Sequence, residues 1–420
     1  MALSEIQSGS SEQSPSTPAA GGANQVRVRA YNERLVLSHV RRNSGVSKAE
    51  IARLTGLSAQ TVSVIMRALE KDDLLIRGKP VRGRVGQPSV PMHLNPDAVL
   101  SFGVKIGRRS ADLILMDFVG TIRLNRHLTY PYPNPAEILD FVVSGIGELQ
   151  HELSASQRSA IAGVGIAAPF ELWNWAREVG APEGAMEAWR GFDLQAEVAS
   201  RLPYPVYLQN DATSACGAEL VFGVGPRYPD FVYFYVGSFI GGGIVLNSTV
   251  FVGRTGTAGA IGPLPVRNKH GETRQLLEIA SIFVLERLLR ERGIDPQPLW
   301  YDAKDWIDFG EPLDIWIRDC AAALAQAIIA ASSIIDFSAA IIDGGFPEWV
   351  RERLVAATIE EIGKLDLQGI VFPDIIEGAV GAQARAVGGA SLPIFARYLI
   401  DQTVLFKEID NAEGNRPAAI

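Results

Sequence analysis

The sequence predicts an α/β chain in two parts: an N-terminal winged helix-turn-helix followed by a two-lobed body. Three observations predict it. First, charge is segregated. Residues 24–90 hold 13 Lys and Arg against 5 Asp and Glu, which leaves 26 against 42 for the remainder. A basic segment on an acidic body points to a polyanion-binding head. Second, helix-period runs broken at Gly45 and Gly56 lead into an Arg- and Gly-rich hairpin pattern. Third, beyond Pro96 strand-length apolar runs alternate with helical ones, and two strand pairs turn on glycines, at Gly107 and at Gly237 with Gly241, Gly242 and Gly243.

At 420 residues the chain is long enough for two or three cores. The composition divides it into a tail over 1–25, a basic head over 26–95 and an acidic body beyond. Residues 1–23 are rich in Ser, Gly, Ala, Gln and Pro and read as a disordered tail. The N-terminus has no charged-then-apolar leader pattern, so the expected compartment is the cytoplasm. The run "CAAALAQAIIAASSII" (320–335) is interrupted by Gln326 and two serines. It reads as a buried helix, and no membrane partner is expected. Cys216 and Cys320 stand far apart, which suits a reducing compartment and builds no zinc site.

In the head, "RAYNERLVLSHVRRN" (29–43) is amphipathic and ends before Ser44-Gly45. "SKAEIARLTG" (47–56) opens on Ser47 with Glu50 three residues on, a capping box, and closes on Gly56. "SAQTVSVIMRALEK" (58–71) is capped by Ser58, and Val62, Ile65, Met66 and Leu69 form its core stripe. Its other face carries Ala59, Gln60, Thr61, Ser63 and Arg67. A helix pair with a small, polar second helix fits the major groove of double-stranded DNA. Ser58, Gln60, Thr61, Ser63 and Arg67 are therefore the candidate DNA-binding residues. "LLIRGKPVRGRVGQPSVPMHL" (74–94) reads as a wing, with Arg82 and Arg84 at its tip beside phosphates. An amphipathic hairpin with a solvated loop is the plainer reading of each piece alone.

In the body, strands are expected at 99–106, 111–117, 161–167, 204–209, 231–236, 243–247 and 339–343. Helices are expected at 135–152, 193–201, 274–292, 313–335 and 347–364. "LQNDATSACGAEL" (208–220) places Asn210 and Asp211 at a strand end before a small-residue helix. The pair offers donors and acceptors to the vicinal hydroxyls of a sugar, and Asp211 would serve equally as a helix cap. "APFELWNWAREVGAPEGAMEAWRGFDL" (168–194) brings Phe170, Trp173, Trp175 and Trp189. Such rings stack on pyranoses, and they also build cores or subunit contacts.

The order of these features resembles the ROK family of repressors and sugar kinases, from about Tyr31 to the last helix. The resemblance is most specific in "SKAEIARLTGLSAQTVSVIMRALEKDDLL", "GQPSVPMHLNPDA", "QNDATSACGAEL" and "VGSFIGGGIVL". It implies an actin-like, two-lobed sugar kinase body, with one lobe over 96–212 to which a helix at 385–400 returns and a second lobe over 213–384, assembled as a homodimer or homotetramer. A DNA-binding head implies the repressor branch. It also implies that Asp211 matches the catalytic base of the family's kinases, and that Asn210, Asp211 and Glu278 belong to the sugar site, with Trp173 and Trp189 as added aromatic contacts.

Departures from the family pattern redirect the function. The family's first phosphate turn resembles Gly-x-Asp-x-Gly-Gly-Thr, whereas this chain reads "GVKIGRR" (103–109). The second, usually Gly-Thr-Gly, reads Gly237-Ser238-Phe239, and Phe239 is expected to obstruct it. No carboxylate accompanies Lys105 to organise a metal, while Lys105, Arg108 and Arg109 keep charge that attracts phosphates. The family's Glu-x-Gly-His is replaced by Ala260-Ile261-Gly262-Pro263, and no Cys occurs in "PLPVRNKHGETRQLLEIAS" (263–281). The expectation is a regulator, more a repressor than an activator, that binds an operator and a sugar or sugar derivative, with no catalytic role, no metal and no cofactor; the alternatives are a sugar kinase with residual activity and a DNA-binding dimer whose body takes no ligand.

Overall fold

Strand registers fix the body. A computed structural model describes residues 20–43, 45–81, 89–170, 172–176, 180–301 and 305–400. The head opens with α1 (Ala20–Arg42), α2 (Lys48–Thr55) and α3 (Ala59–Lys71). α1 begins nine residues before the periodicity places it, inside the segment read as tail. Ser47 accepts the Glu50 N–H at 3.2 Å, the first half of the predicted capping box. The Glu50 carboxylate takes Arg53 at 2.9 Å. Gly56 ends α2 at φ 69°, a conformation that favours glycine. The wing is β1 (Leu75–Arg77) paired antiparallel with β2 (Met92–Leu94), extended by a bridge from Val81 to Ser89. A second bridge, Val46 to Met92, ties the wing to the start of α2. Arg82 and Arg84 lie outside the described residues.

Lobe one is a five-stranded sheet in the order β5-β4-β3-β6-β7. Its strands are β3 (Leu100–Ile106), β4 (Ser110–Asp117), β5 (Ile122–Thr129), β6 (Ile161–Ala168) and β7 (Val206–Asn210). The first three pair antiparallel, and β3, β6 and β7 pair parallel. α4 (Pro135–His151), α5 (Ala155–Ser159) and α6 (Leu194–Ala199) accompany it, and α7 (Asp211–Phe222) leads into lobe two. Lobe two repeats the plan in the order β10-β9-β8-β13-β14, around a short hairpin of β11 (Pro265–Arg267) and β12 (Thr273–Gln275). Its main strands are β8 (Phe231–Val236), β9 (Ile240–Leu246), β10 (Thr249–Phe251), β13 (Ala339–Gly344) and β14 (Asp374–Glu377). The doubled meander-plus-parallel sheet is the actin-like architecture.

β5 was not foreseen, because its residues alternate between partly buried and exposed without a strong apolar run. The helix expected over 274–292 is broken into α8 (Leu277–Ala280) and α9 (Ile282–Glu291) by extended Ser281. α10 (Pro298–Tyr301), α11 (Glu311–Ser332) and α12 (Glu348–Ile362) complete the lobe. α11 is the one described helix long and apolar enough to cross a membrane. Trp316, Ile317, Cys320, Leu324 and Ile328 bury it in the lobe-two core.

α13 (Ala384–Tyr398) returns to lobe one and packs between β3, β6 and α7. A Cβ on Gly165 would stand 1.8 Å from the Gly389 carbonyl, and one on Gly103 would stand 2.3 Å from that of Ala386. Pro393, inside α13, removes the N–H that would otherwise bond Gly389. Gly165→Ala should therefore destabilise the fold by about 3 kcal/mol or more, since the contact is with backbone that cannot rotate aside. Chemical denaturation followed by circular dichroism measures this, and an unchanged midpoint would contradict the packing.

Candidate functional site

The β3–β4 hairpin turns tightly, with Gly107 N–H on the Ser110 carbonyl at 2.8 Å. That register sets Lys105 opposite Asp112, and Asp112 opposite His127 on β5. Residues directly opposite share a sheet face, so the three side chains form one row. Lys105 Nζ lies 2.9 Å from Asp112 and 2.8 Å from the Ser110 hydroxyl. His127 Nδ1 lies 2.5 Å from Asp112. A carboxylate does therefore accompany Lys105, contrary to the sequence expectation. It comes from the next strand and is fully engaged. Burial works against the Asp112 charge, but Lys105 and His127 outweigh it and hold the carboxyl below its ordinary range. Burial pushes Lys105 the other way, below the usual lysine value.

The turns at 107–109 and 237–239, which correspond to the phosphate turns of the resemblance, pack on each other through their side chains. The Arg108 guanidinium lies 3.8 Å from the Phe239 ring centroid, and Phe239 packs on Phe283 at 4.8 Å. Arg109 reaches Glu286 on α9 at 3.5 Å and donates to the Pro131 carbonyl at 2.5 Å. Tyr130 donates to the Gly107 carbonyl at 2.7 Å. The break at Ser281 lets α9 begin against the second turn. Ile282 N–H bonds the Gly237 carbonyl at 2.9 Å, Phe283 N–H bonds that of Ser238 at 3.2 Å, and the Ser281 hydroxyl takes the Ile240 N–H at 2.9 Å. Helix N-terminal donors that could receive phosphate are spent on the chain's own turn.

Asn210, not Asp211, caps α7: its Oδ1 accepts from Ala212 at 3.1 Å and Thr213 at 3.2 Å. Asp211 pairs with Arg385 of α13 at 3.3 Å. Sequence reasoning missed Arg385, because no local pattern connects residues so far apart. A cavity of about 310 Å³ between the lobes is lined by Lys105, Asp112, His127, Ser238, Trp300 and Arg385 among others. Of its cations, Lys105 is paired with Asp112, Arg109 with Glu286, Arg126 with Glu152 and Arg385 with Asp211, while Arg108 lies over the Phe239 ring. The charges expected to attract phosphates are thus engaged within the chain.

The remaining predicted ligand residues lie elsewhere. Trp189 is buried in the lobe-one core, with its indole N–H on the Pro133 carbonyl at 2.8 Å, an anchoring role. Trp173 flanks the same core, 5.4 Å from the Arg190 guanidinium. Trp300 lines the cleft instead. Glu278 accepts the Gln275 N–H at 3.0 Å and faces a second cavity beside Arg267, His270 and Trp316. Among the described residues no group of three His, Cys, Asp or Glu could hold a metal. Cys216 and Cys320 are buried, which pushes both thiols up and makes them unreactive.

On α3, Val62, Ile65, Met66 and Leu69 are buried, and Gln60 and Arg67 are exposed. Ser58 accepts the Thr61 N–H at 3.1 Å and shares a hydrogen bond with its hydroxyl at 2.8 Å, so both residues serve the cap. Val64, 49% exposed, joins the outer stripe of Gln60, Ser63 and Arg67. It was missed because an exposed valine breaks the polar pattern that marked that face.

A winged helix-turn-helix on a duplicated, actin-like body defines a sugar-kinase-fold protein with a nucleic-acid-binding type of head. The ROK family profile matches residues 101–394, and a winged helix-turn-helix DNA-binding profile matches residues 29–76. The chain belongs to the ROK family. It is 27% identical over 244 residues to a xylose repressor of Bacillus spizizenii, a span of 58% of this chain and 62% of that protein. A solved ROK family transcriptional regulator, a homologue of the E. coli MLC protein, superposes with a TM-score of 0.62 at 18% identity, over 91% of this chain and 99% of that one. A ROK family glucokinase from Streptomyces griseus, solved with glucose and AMPPNP, superposes at 0.56 with 20% identity, over 70% and 98%.

Asp112→Asn should destabilise the chain by about 3–5 kcal/mol at neutral pH, because it leaves Lys105 buried without its partner. In the parent, the ionised Asp112 favours the folded chain above roughly pH 4, and that contribution is lost as pH falls. Urea titrations between pH 3 and pH 7 should show the two proteins converging in acid. Equal stability at pH 7 would contradict the ion-pair row.

Proposed function

We propose that this chain is a sugar-responsive transcriptional repressor whose kinase-like body senses a ligand and phosphorylates nothing. The engagement of the two turns within the chain carries this reading. Phosphoryl transfer requires the donor's phosphates held in line with the attacking hydroxyl. What supports the reading is that Arg108 packs on Phe239, that the first N–H groups of α9 are spent on Gly237 and Ser238, and that Asp211, at the base position, is tied to Arg385. A winged head supports a role at DNA, and the similarity to a xylose repressor makes xylose the first sugar to test.

In this reading α3 enters the major groove. Gln60, Ser63, Val64 and Arg67 face base edges, with Val64 suited to a thymine methyl. Ser58 and Thr61 hold the helix start, and Arg82 and Arg84 bind phosphates. Paired heads in a homodimer or homotetramer read two half-sites about 34–36 Å apart. A sugar or sugar derivative binds in the cavity between the lobes, beside Trp300 and Arg385, with Asp211 behind Arg385. The protein works in the cytoplasm and needs no metal or cofactor.

Gln60→Ala should alter which operator sequence is preferred, at about 1–3 kcal/mol per affected base pair. Arg82→Ala should weaken binding to all sequences and lower the salt slope by about 1. Fluorescence anisotropy on labelled duplexes at several salt concentrations separates the two, and unaltered binding by both variants would refute the head assignment. The wild type should show no xylose- or glucose-dependent ATP turnover in a coupled assay. Turnover abolished by Asp211→Asn would establish a kinase instead.

A further inference from the structure

The head and body do not merely abut. α1 packs its Val36, Leu37 and Val40 into one apolar cluster with Met116, Phe118 and Ile394 of the body. Beside this contact lies a cavity of about 140 Å³, walled by α1, one face of α7, the β10 region and the end of α13. Its apolar lining includes Leu220, Val221, Val250, Leu392 and Phe395. The size is close to that of the roughly 150 Å³ apolar cavity that takes up benzene.

Two polar groups at this cavity lack partners. Arg41 of α1 donates one Nη to the Phe118 carbonyl at 3.4 Å and lies 4.2 Å from the Phe222 ring centroid, but its Nη2 is screened from solvent and unpartnered. Burial works against the charge of this guanidinium. Ser214 of α7 is 3% exposed, and its hydroxyl is also unpartnered. Such groups cost free energy unless something fills them. Both residues line the cavity, Arg41 from α1 and Ser214 from α7. Gly217 also lines the wall, where a Cβ would meet nothing within 4 Å. Packing does not require glycine there, and glycine within a helix costs about 1 kcal/mol. Its missing side chain keeps the space open.

We propose that this junction cavity binds a small carboxylate with an aromatic or branched apolar body. The carboxylate accepts hydrogen bonds from Arg41, the body runs along Gly217 and Leu220, and a polar far end meets Ser214. An occupant would bridge the head and the body and so bias the head's position. This is a second regulatory input, separate from the interlobe cleft. Its effect on DNA rests on the repressor reading, whereas binding itself does not.

The test is calorimetric titration of the full chain with para-hydroxyphenylpropionate, with the corresponding amide as control. One saturable site per chain is expected, with the amide weaker by roughly tenfold or more, because it lacks the charge that Arg41 pairs. Arg41→Met and Gly217→Leu should each weaken carboxylate binding by a similar factor. Gly217→Leu fills open space and should keep its fold and operator affinity, which guards against loss of structure in the arginine variant. The carboxylate should also shift operator affinity in the wild type and not in Gly217→Leu. No saturable binding, or binding that survives both substitutions, would overturn the proposal. So would binding abolished by Asp211→Asn alone, which would place the ligand between the lobes. Operator binding by the unliganded protein tests the repressor reading separately.

Discussion

The close approach of α13 to the lobe-one sheet and to α7 is the constraint on which the arrangement depends. Gly165 and Gly103 on the sheet, and Gly388 on the helix, let backbone meet backbone. The Ser101 hydroxyl adds a bond to the Ala390 carbonyl at 2.5 Å. Once seated, the helix delivers side chains to two distant places. Arg385 at its start reaches Asp211 at the cleft, and Tyr398 at its end packs edge-on against Phe118 below the head. The next residues continue the contact, with Ile400 N–H on the Ser38 hydroxyl of α1 at 3.1 Å.

The cleft follows a single logic. A kinase needs empty, donor-lined turns so that a nucleotide can complete them. Here each turn completes the other: Arg108 faces Phe239, Arg109 faces Glu286, and the first N–H groups of α9 face Gly237 and Ser238. A cation over a desolvated aromatic ring contributes about 1–2 kcal/mol, and a partly buried ion pair adds to it. These contacts join lobe one to lobe two.

Much of this was legible in the sequence. The capped helices of the head, the wing and the glycine-turn strand pairs announce themselves through local patterns, namely caps at Ser47 and Ser58 and alternation or periodicity in between, whereas the returning helix followed only from the family resemblance. The departures from the family's phosphate turns were also legible, since they need only residue identity at 103–109 and 237–239. What was hidden depends on register and on distant contacts. Asp112 joins Lys105 only when the hairpin is folded in its actual register, and Arg385 lies 174 residues from Asp211. Trp189 was misplaced because an aromatic residue in a loop carries no mark that tells a core anchor from a stacking platform. Only its bond to Pro133 decides the matter. The break at Ser281 was invisible for a similar reason, because its hydroxyl is claimed by Ile240 from another element.

Under the proposed function, α13 would give effector binding a short physical route to the head. A 15-residue helix is about 22 Å long, and it moves as a rigid body when its neighbours permit. A polyol that competes for Asp211 removes the partner of Arg385, whose guanidinium also faces the Tyr235 ring at 5.0 Å. The cost of leaving that cation buried falls on α13 and not on a chain of intervening side chains. Glycine contacts hold the middle of the helix against the sheet. Any reseating of α13 would displace Tyr398 and Ile400, which hold Phe118 and Ser38. Communication between cleft and head therefore requires one packed element with two seatings, the physical condition for coupling two sites.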